Sequence, residues 1–229
     1  APNNDDGALT ITSAAYYGTY VDLDGTAKNE VELISRYREM AMQPEIESAI
    51  EDIVNEAIVH DSRAETVKIV LDDLDQKDNI KKMIRQEFKE VCRLLDFGNF
   101  GAEIFRRWYV DGRLYYNVVI DPENPRAGIQ QIINIDPRRI RKIRNITKKK
   151  DKSGTEVIER IDTFYLYNEK LVNNNVQSPQ LLGSYAGGVK LSEDSVIHLT
   201  SGLFDPAKST VLSYVHKAIR PMNQLRYVE

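Results

Sequence analysis

Apolar positions recur at helical spacing in four stretches of the chain. Val31, Ile34, Tyr37 and Ala41 follow Asn29 and Glu32, a pair that resembles a capping box. Pro44 fits the first position of a second helix, whose stripe is Ile46, Ala49, Ile50, Ile53, Val54, Ala57 and Ile58. A third helix carries Ile80, Ile84, Phe88, Val91 and Leu95, with Lys81, Lys82, Arg85, Lys89 and Glu90 mostly outside that stripe. From Thr210 onward Leu212, Val215, Ile219, Met222, Leu225 and Val228 keep a helical beat to the final residue. Pro221 lies inside that beat. Proline removes one main-chain bond and clashes with the preceding turn, so a kink or a junction between helices is expected just before it.

Other stretches alternate. TVKIVLDD places Val67, Ile69 and Leu71 on one side and predicts a strand. RRWYVDGRLYYNVVID, residues 106 to 121, has aromatic and β-branched runs on both sides of Asp111-Gly112, which predicts a hairpin with a type I′ turn. In that hairpin Tyr109 opposes Leu114, and Trp108 faces Tyr115 with Arg106 and Arg113 alongside. IQQIINI forms a strand that ends at Asp136-Pro137. In RRIRKIRNIT the isoleucines at 140, 143 and 146 are three apart, which suits neither period well; it is read as a strand, with KKKDKSG as a turn and EVIERIDTFYLYN as its antiparallel partner. Residues 173 to 195 read as loop, SVIHLTS as a short strand, and residues 1 to 27 as an extended arm. No internal repeat is present.

With 229 residues the chain can bury a sizeable core without disulfides, and its single Cys92, in a helical pattern between Val91 and Leu94, reads as a buried free thiol. No apolar run approaches the ~18 residues of a spanning helix, and APNNDDGALT lacks the basic and apolar regions of an export signal, so the expectation is a soluble, intracellular protein. The net charge of −4 conceals an asymmetry: Arg138 to Lys152 holds nine bases and one acid, a local +8, which leaves −12 on the rest. Most of that surface repels a phosphate backbone, which argues against a general nucleic-acid grip.

Catalytic motifs are weak. VDLDGT matches the DxDGT signature of haloacid-dehalogenase-type phosphotransferases, in which Asp22 would attack phosphorus and Asp24 would act as acid and base beside Mg²⁺. That chemistry needs a buried parallel strand before the motif and α/β alternation after it, and neither is predicted, so a solvated turn is the better account. His60, His198 and His216 are isolated and read as structural. GSYAGGVK departs from the phosphate-loop pattern, and Asp72, Asp73 and Asp75 read as a loop with a helix cap. The basic run could touch a phosphate backbone or an acidic protein partner, or be an exposed hairpin tip kept soluble by its lysines. The Trp108 and Tyr115 cluster could stack on bases, or pack against another element.

Three long segments then point to a family. FRRWYVDGRLYYNVVIDPENPRAGI, INIDPRRIRKIR and HLTSGLFDPAKSTVLSYVHKAIRPMNQLRYVE, in this order and separation, resemble the portal proteins of tailed phages with contractile tails. The resemblance runs from about Val31 to Glu229 and is weakest at residues 1 to 27 and 170 to 190.

That resemblance implies a ring of subunits, dodecameric in the family, at the unique capsid vertex. Through it a terminase motor pumps double-stranded DNA, which neck proteins retain and which later leaves into the tail. The implied fold is α+β, with helices packed on antiparallel β-hairpins: residues 1–27 form an arm, 28–209 a wing domain, and 210–229 the start of a stem helix. The rest of the stem, the clip and the crown lie beyond this chain. The implied partners are other copies of the chain, the major capsid protein, the terminase and the neck proteins, with no cofactor and no catalytic residue. A head-to-tail ring needs two complementary surfaces per subunit, which an acidic body with one basic segment provides. Arg138, Arg139, Arg141, Lys142 and Arg144 are therefore the expected subunit-interface residues, and Lys217, Arg220 and Arg226 are candidates to face the tunnel or stem. A sequence-independent nucleic-acid-binding module using residues 138–152 is the alternative, and a phosphatase using Asp22 a distant third.

Overall fold

A computed structural model describes residues 7–14, 23–59, 66–150, 156–169, 188–205 and 210–226. The helices are α1 (Leu23–Ala41), α2 (Pro44–Ala57), α3 (Asp78–Leu94), α4 (Phe97–Asp111) and α5 (Ile219–Arg226). The strands are β1 (Leu9–Ala14), β2 (Arg113–Ile120), β3 (Ile129–Ile135), β4 (Ile140–Lys150), β5 (Glu156–Tyr167), β6 (Val189–Ser192) and β7 (Val196–Thr200). One sheet has the order β1-β4-β5-β6 and the other β3-β2-β7. All pairings are antiparallel except β1 on β4, so the fold is α+β.

Two cores organise these elements. Tyr37 and Ala41 of α1, Ile50 and Val54 of α2, Val110 of α4 and Val215 pack together as a helical core. Tyr115, Ile135, Ile140, Tyr165 and Val196 join the two sheets. The threefold isoleucine spacing in β4 follows from burial on both faces. Alternation puts Ile140 and Ile146 on one face and Ile143 on the other, and all three are buried.

Several expectations are corrected. The hairpin around Asp111-Gly112 does not form: residues 97–111 are helix α4, and Gly112 is its left-handed C-cap at φ 73°, its N–H bonded to the Trp108 carbonyl. A type I′ turn and a helix cap both require positive φ, so the same dipeptide serves either, and the Phe97, Gly101, Ile104, Phe105 and Trp108 spacing is helical. Trp108 therefore packs on Phe105 and Tyr214, not on Tyr115, which stacks on His198. Arg113 is buried, and Arg106 pairs with Glu47 at 3.6 Å.

Val67 to Leu71 form no strand, since no other described strand pairs with them, and Val67 and Val70 are exposed. The segment read as loop contains β6, held at the edge of β5. Helix α1 begins at Leu23, six residues before Asn29. The cap of α3 is Lys77 without a side-chain bond, so none of Asp72, Asp73 or Asp75 caps it. The helical beat from Thr210 becomes regular only at Tyr214, as a 3-10 segment to Ala218 that passes into α5. That junction lies two residues before Pro221, which sits in the first turn of α5.

Candidate assembly surface

The basic segment is largely built into the protomer. In β4 Arg141 and Arg144 are 7% and 6% exposed. Arg141 and Arg113, the first residue of β2, both meet the carboxylate of Glu30 on α1, and Arg113 also donates to the Val211 carbonyl. One acid thus ties a helix to both sheets. Burial pulls the Arg141 guanidinium below its ordinary range, and the charge of Glu30 opposes that pull. Lys142 is half-buried, within 3.3 Å of Glu193 and over the Tyr165 ring.

A second polar cluster lies beside the first. Arg38, in the last turn of α1, donates from Nε and Nη2 to the two Asp111 oxygens at 2.9 and 2.7 Å. The same guanidinium reaches both oxygens of Asp136 at 3.2 Å, and Arg138 donates to Asp136 at 2.9 Å. Asp111 ends α4, where a carboxylate opposes the helix dipole, and the bidentate Arg38 offsets that cost. Burial would raise the pKa of Asp136, but hydrogen bonds from the Arg138 side chain and main chain, then the charge of Arg38, hold its carboxyl well below the usual range.

The expected interface residues consequently divide. Arg141 and Arg144 lie inside the protomer, which corrects the reading of the whole run as a surface feature: two covered faces of a strand absorb its bases. Arg138 and Arg139 are half-buried at the turn before β4. Lys149 and Lys150 are exposed at the far end of the strand, where Lys149 lies 3.6 Å from Glu159. Lys217 and Arg220 are exposed, with no ion pair among the described residues, while the side chain of Arg226 is outside them.

The chemistry-bearing motifs disperse. Asp24 lies within α1 while Asp22 falls outside the described residues, as do His60 and Ser184 to Gly187. His216 Nδ1 lies 2.7 Å from the Tyr37 hydroxyl, and His198 stacks on Tyr115 and meets Tyr165 edge-on, both structural positions. Among the described residues no three His, Cys, Asp or Glu converge as metal ligands, and no helix is long and apolar enough to cross a membrane.

Sequence reasoning missed Glu30, Arg38 and Asp111. Glu30 had a signal: it precedes Ile34 by four residues and Tyr37 by seven, so a charge stands on the buried stripe of α1. Asp111 was absorbed into the supposed turn, and nothing in the chain marks Arg38 as its partner.

Uncovered apolar surface lies elsewhere. None of the 17 residues of α3 is buried, and Ile80, Met83 and Val91 are exposed along it. On α2 only Ile50 and Val54 of the predicted stripe are buried, while Ala49, Ile53 and Ala57 face outward. An α-helix that leaves part of its apolar stripe open is shaped for a further contact.

Residues 30–229 match the family model described as Bacteriophage T4-like portal protein (Gp20). The chain is similar to the portal protein of Salmonella phage ViI, 31% identical over 225 residues that cover 96% of this chain and 40% of that one. It is also 31% identical, over 244 aligned positions, to the portal protein of Vibrio phage KVP40, with 100% of this chain and 46% of the relative covered. The chain thus spans less than half the length of these curated relatives. The family match takes in every described element after β1, beginning within α1 at residue 30, and the chain belongs to the T4-like portal protein family.

Proposed function

We propose that this chain is the wing portion of a viral portal subunit, which assembles with other copies into a ring at a capsid vertex. The ring is a passive channel for double-stranded DNA during packaging and ejection, and a platform for the major capsid protein, a transient terminase motor and the neck proteins. The observation that carries this reading is the family match that spans residues 30 to 229.

Two features of the geometry support it. A closed ring needs heterologous contacts, hence two different open faces per chain, and α2 and α3 each leave apolar positions uncovered. A conduit works best when a polyanion is held weakly. The most basic strand turns Arg141 and Arg144 inward, so the surface offers a duplex fewer cations than the sequence contains. The half-buried Arg138, Arg139 and Lys142 belong at the rim of a subunit contact, and Lys217, Arg220 and Arg226 face the channel or the next subunit. The role is structural and requires no nucleophile or metal.

Electron microscopy of the purified full-length gene product tests this directly: annular particles with a central hole are expected. Tight, steeply salt-dependent binding of duplex DNA by a monomer would favour a nucleic-acid-binding module using residues 138–152 instead. Phosphatase activity abolished by Asp22→Asn would reinstate the enzyme.

A further inference from the structure

A groove of about 490 Å³ opens between residues 66–69, α3 and the start of α4. Its apolar lining residues include Val67, Ile69, Phe88 and Phe97. Its charged lining residues are Lys68, Arg85 and Lys89, and no acid lines it among the described residues. The open face of α2 has the opposite character. At 100° per residue Ala49, Ile53 and Ala57 form a narrow apolar seam, and Glu45, Asp52 and Glu56 run along one side of it. All six are exposed, and α2 contains no base. Small residues at 49 and 57 allow close approach, and Ile53 supplies one side chain to fill a cleft.

The two features cannot meet within one chain. Helix α2 is fixed to the C-terminal half of α4, through Ile50 and Val54 against Val110 and Glu47 beside Arg106. The groove lies at the opposite end, at Phe97 and Gly98. At 1.5 Å per residue, Gly98 and Arg106 are separated by about 12 Å along the axis. Each copy therefore presents an acidic ridge and a groove that, among the described residues, is lined by bases and apolar side chains, at different places, which is the requirement for head-to-tail association.

We propose that α2 of one copy seats its Ala49, Ile53 and Ala57 face in the α3–α4 groove of the next copy, with Glu45, Asp52 and Glu56 facing Lys68 and Arg85. The proposal rests on the ring reading above and assigns that ring a specific contact.

The test uses the full-length product in a Cys92→Ser background. One population carries Ala49→Cys and another Val67→Cys, both at exposed positions. Oxidation after co-assembly should give a disulfide-linked dimer, whereas either population alone should give none; the double variant should give a ladder of linked subunits. In parallel, Asp52→Lys with Glu56→Lys should cut ring yield at least tenfold, as should Lys68→Glu with Arg85→Glu, and combining all four should restore it. Rings at full yield in both charge variants, with no disulfide, would overturn this contact and leave the portal reading standing. Absence of rings from the unsubstituted protein would remove the portal reading and this contact together.

Discussion

Two guanidinium groups, those of Arg113 and Arg141, lie inside the protomer and share the carboxylate of Glu30. Removing one partner of a buried ion pair leaves uncompensated charge, a cost of about 3–5 kcal/mol. Glu30→Ala should therefore destabilise the protein by about that amount in urea unfolding, while the exposed Lys82→Ala should stay within about 0.5 kcal/mol of the parent. Asp136 gives a pH prediction. Its folded-state value is depressed from the ordinary 3.8, so its contribution is present above that pH and is lost as pH falls further, toward the folded value. Asp136→Asn should cost about 1–2 kcal/mol at pH 7, with the gap to the parent narrowing once the pH drops below about 4. A gap that stays constant from pH 7 to pH 3 would contradict the assignment. These roles were partly legible: the charge on the α1 stripe was visible at Glu30, but which arginines of RRIRKIR turn inward depends on what covers each face of β4, and a single strand does not encode that.

Helices α2 and α3 are legible in the sequence, because Pro44 fixes the start of one and a long, regular stripe marks the other. Helix α4 is not, because its aromatic residues and Gly98 and Gly101 weaken helix propensity while Asp111-Gly112 imitates a hairpin turn. The strand expected at Val67 to Leu71 shows the converse: alternation makes a strand possible, but a ladder also needs a free neighbouring edge. Gly112 tests the cap. A Cβ there would come within 2.7 Å of the Leu212 carbonyl oxygen and 2.9 Å of Ser213 Cα, in addition to adopting φ 73°. Gly112→Ala should cost about 2–4 kcal/mol, and Gly112→Asn should not recover it, although asparagine tolerates the left-handed region. Gly202 has a similar φ of 77° but open space around it, so Gly202→Asn should cost under about 1 kcal/mol. Equal effects at both positions, read by thermal unfolding, would mean that φ alone, without the packing of α4 on Leu212 and Ser213, sets the requirement.

At the scale of the molecule the α+β class and the succession of β3, β4, β5 and β7 could be read from the chain, whereas the division of charge between interior and surface could not. A run carrying +8 suggested an adhesive patch. In the fold two of its arginines are buried in the protomer and others pair with nearby acids, and the open apolar surface lies on α2 and α3 instead. This arrangement suits a subunit whose work is to hold position among copies of itself. Native mass spectrometry of the full-length gene product tests that claim most directly. The account predicts one dominant closed assembly, a fixed multiple of the subunit mass that persists on dilution. A monomer at every protein and salt concentration would contradict it.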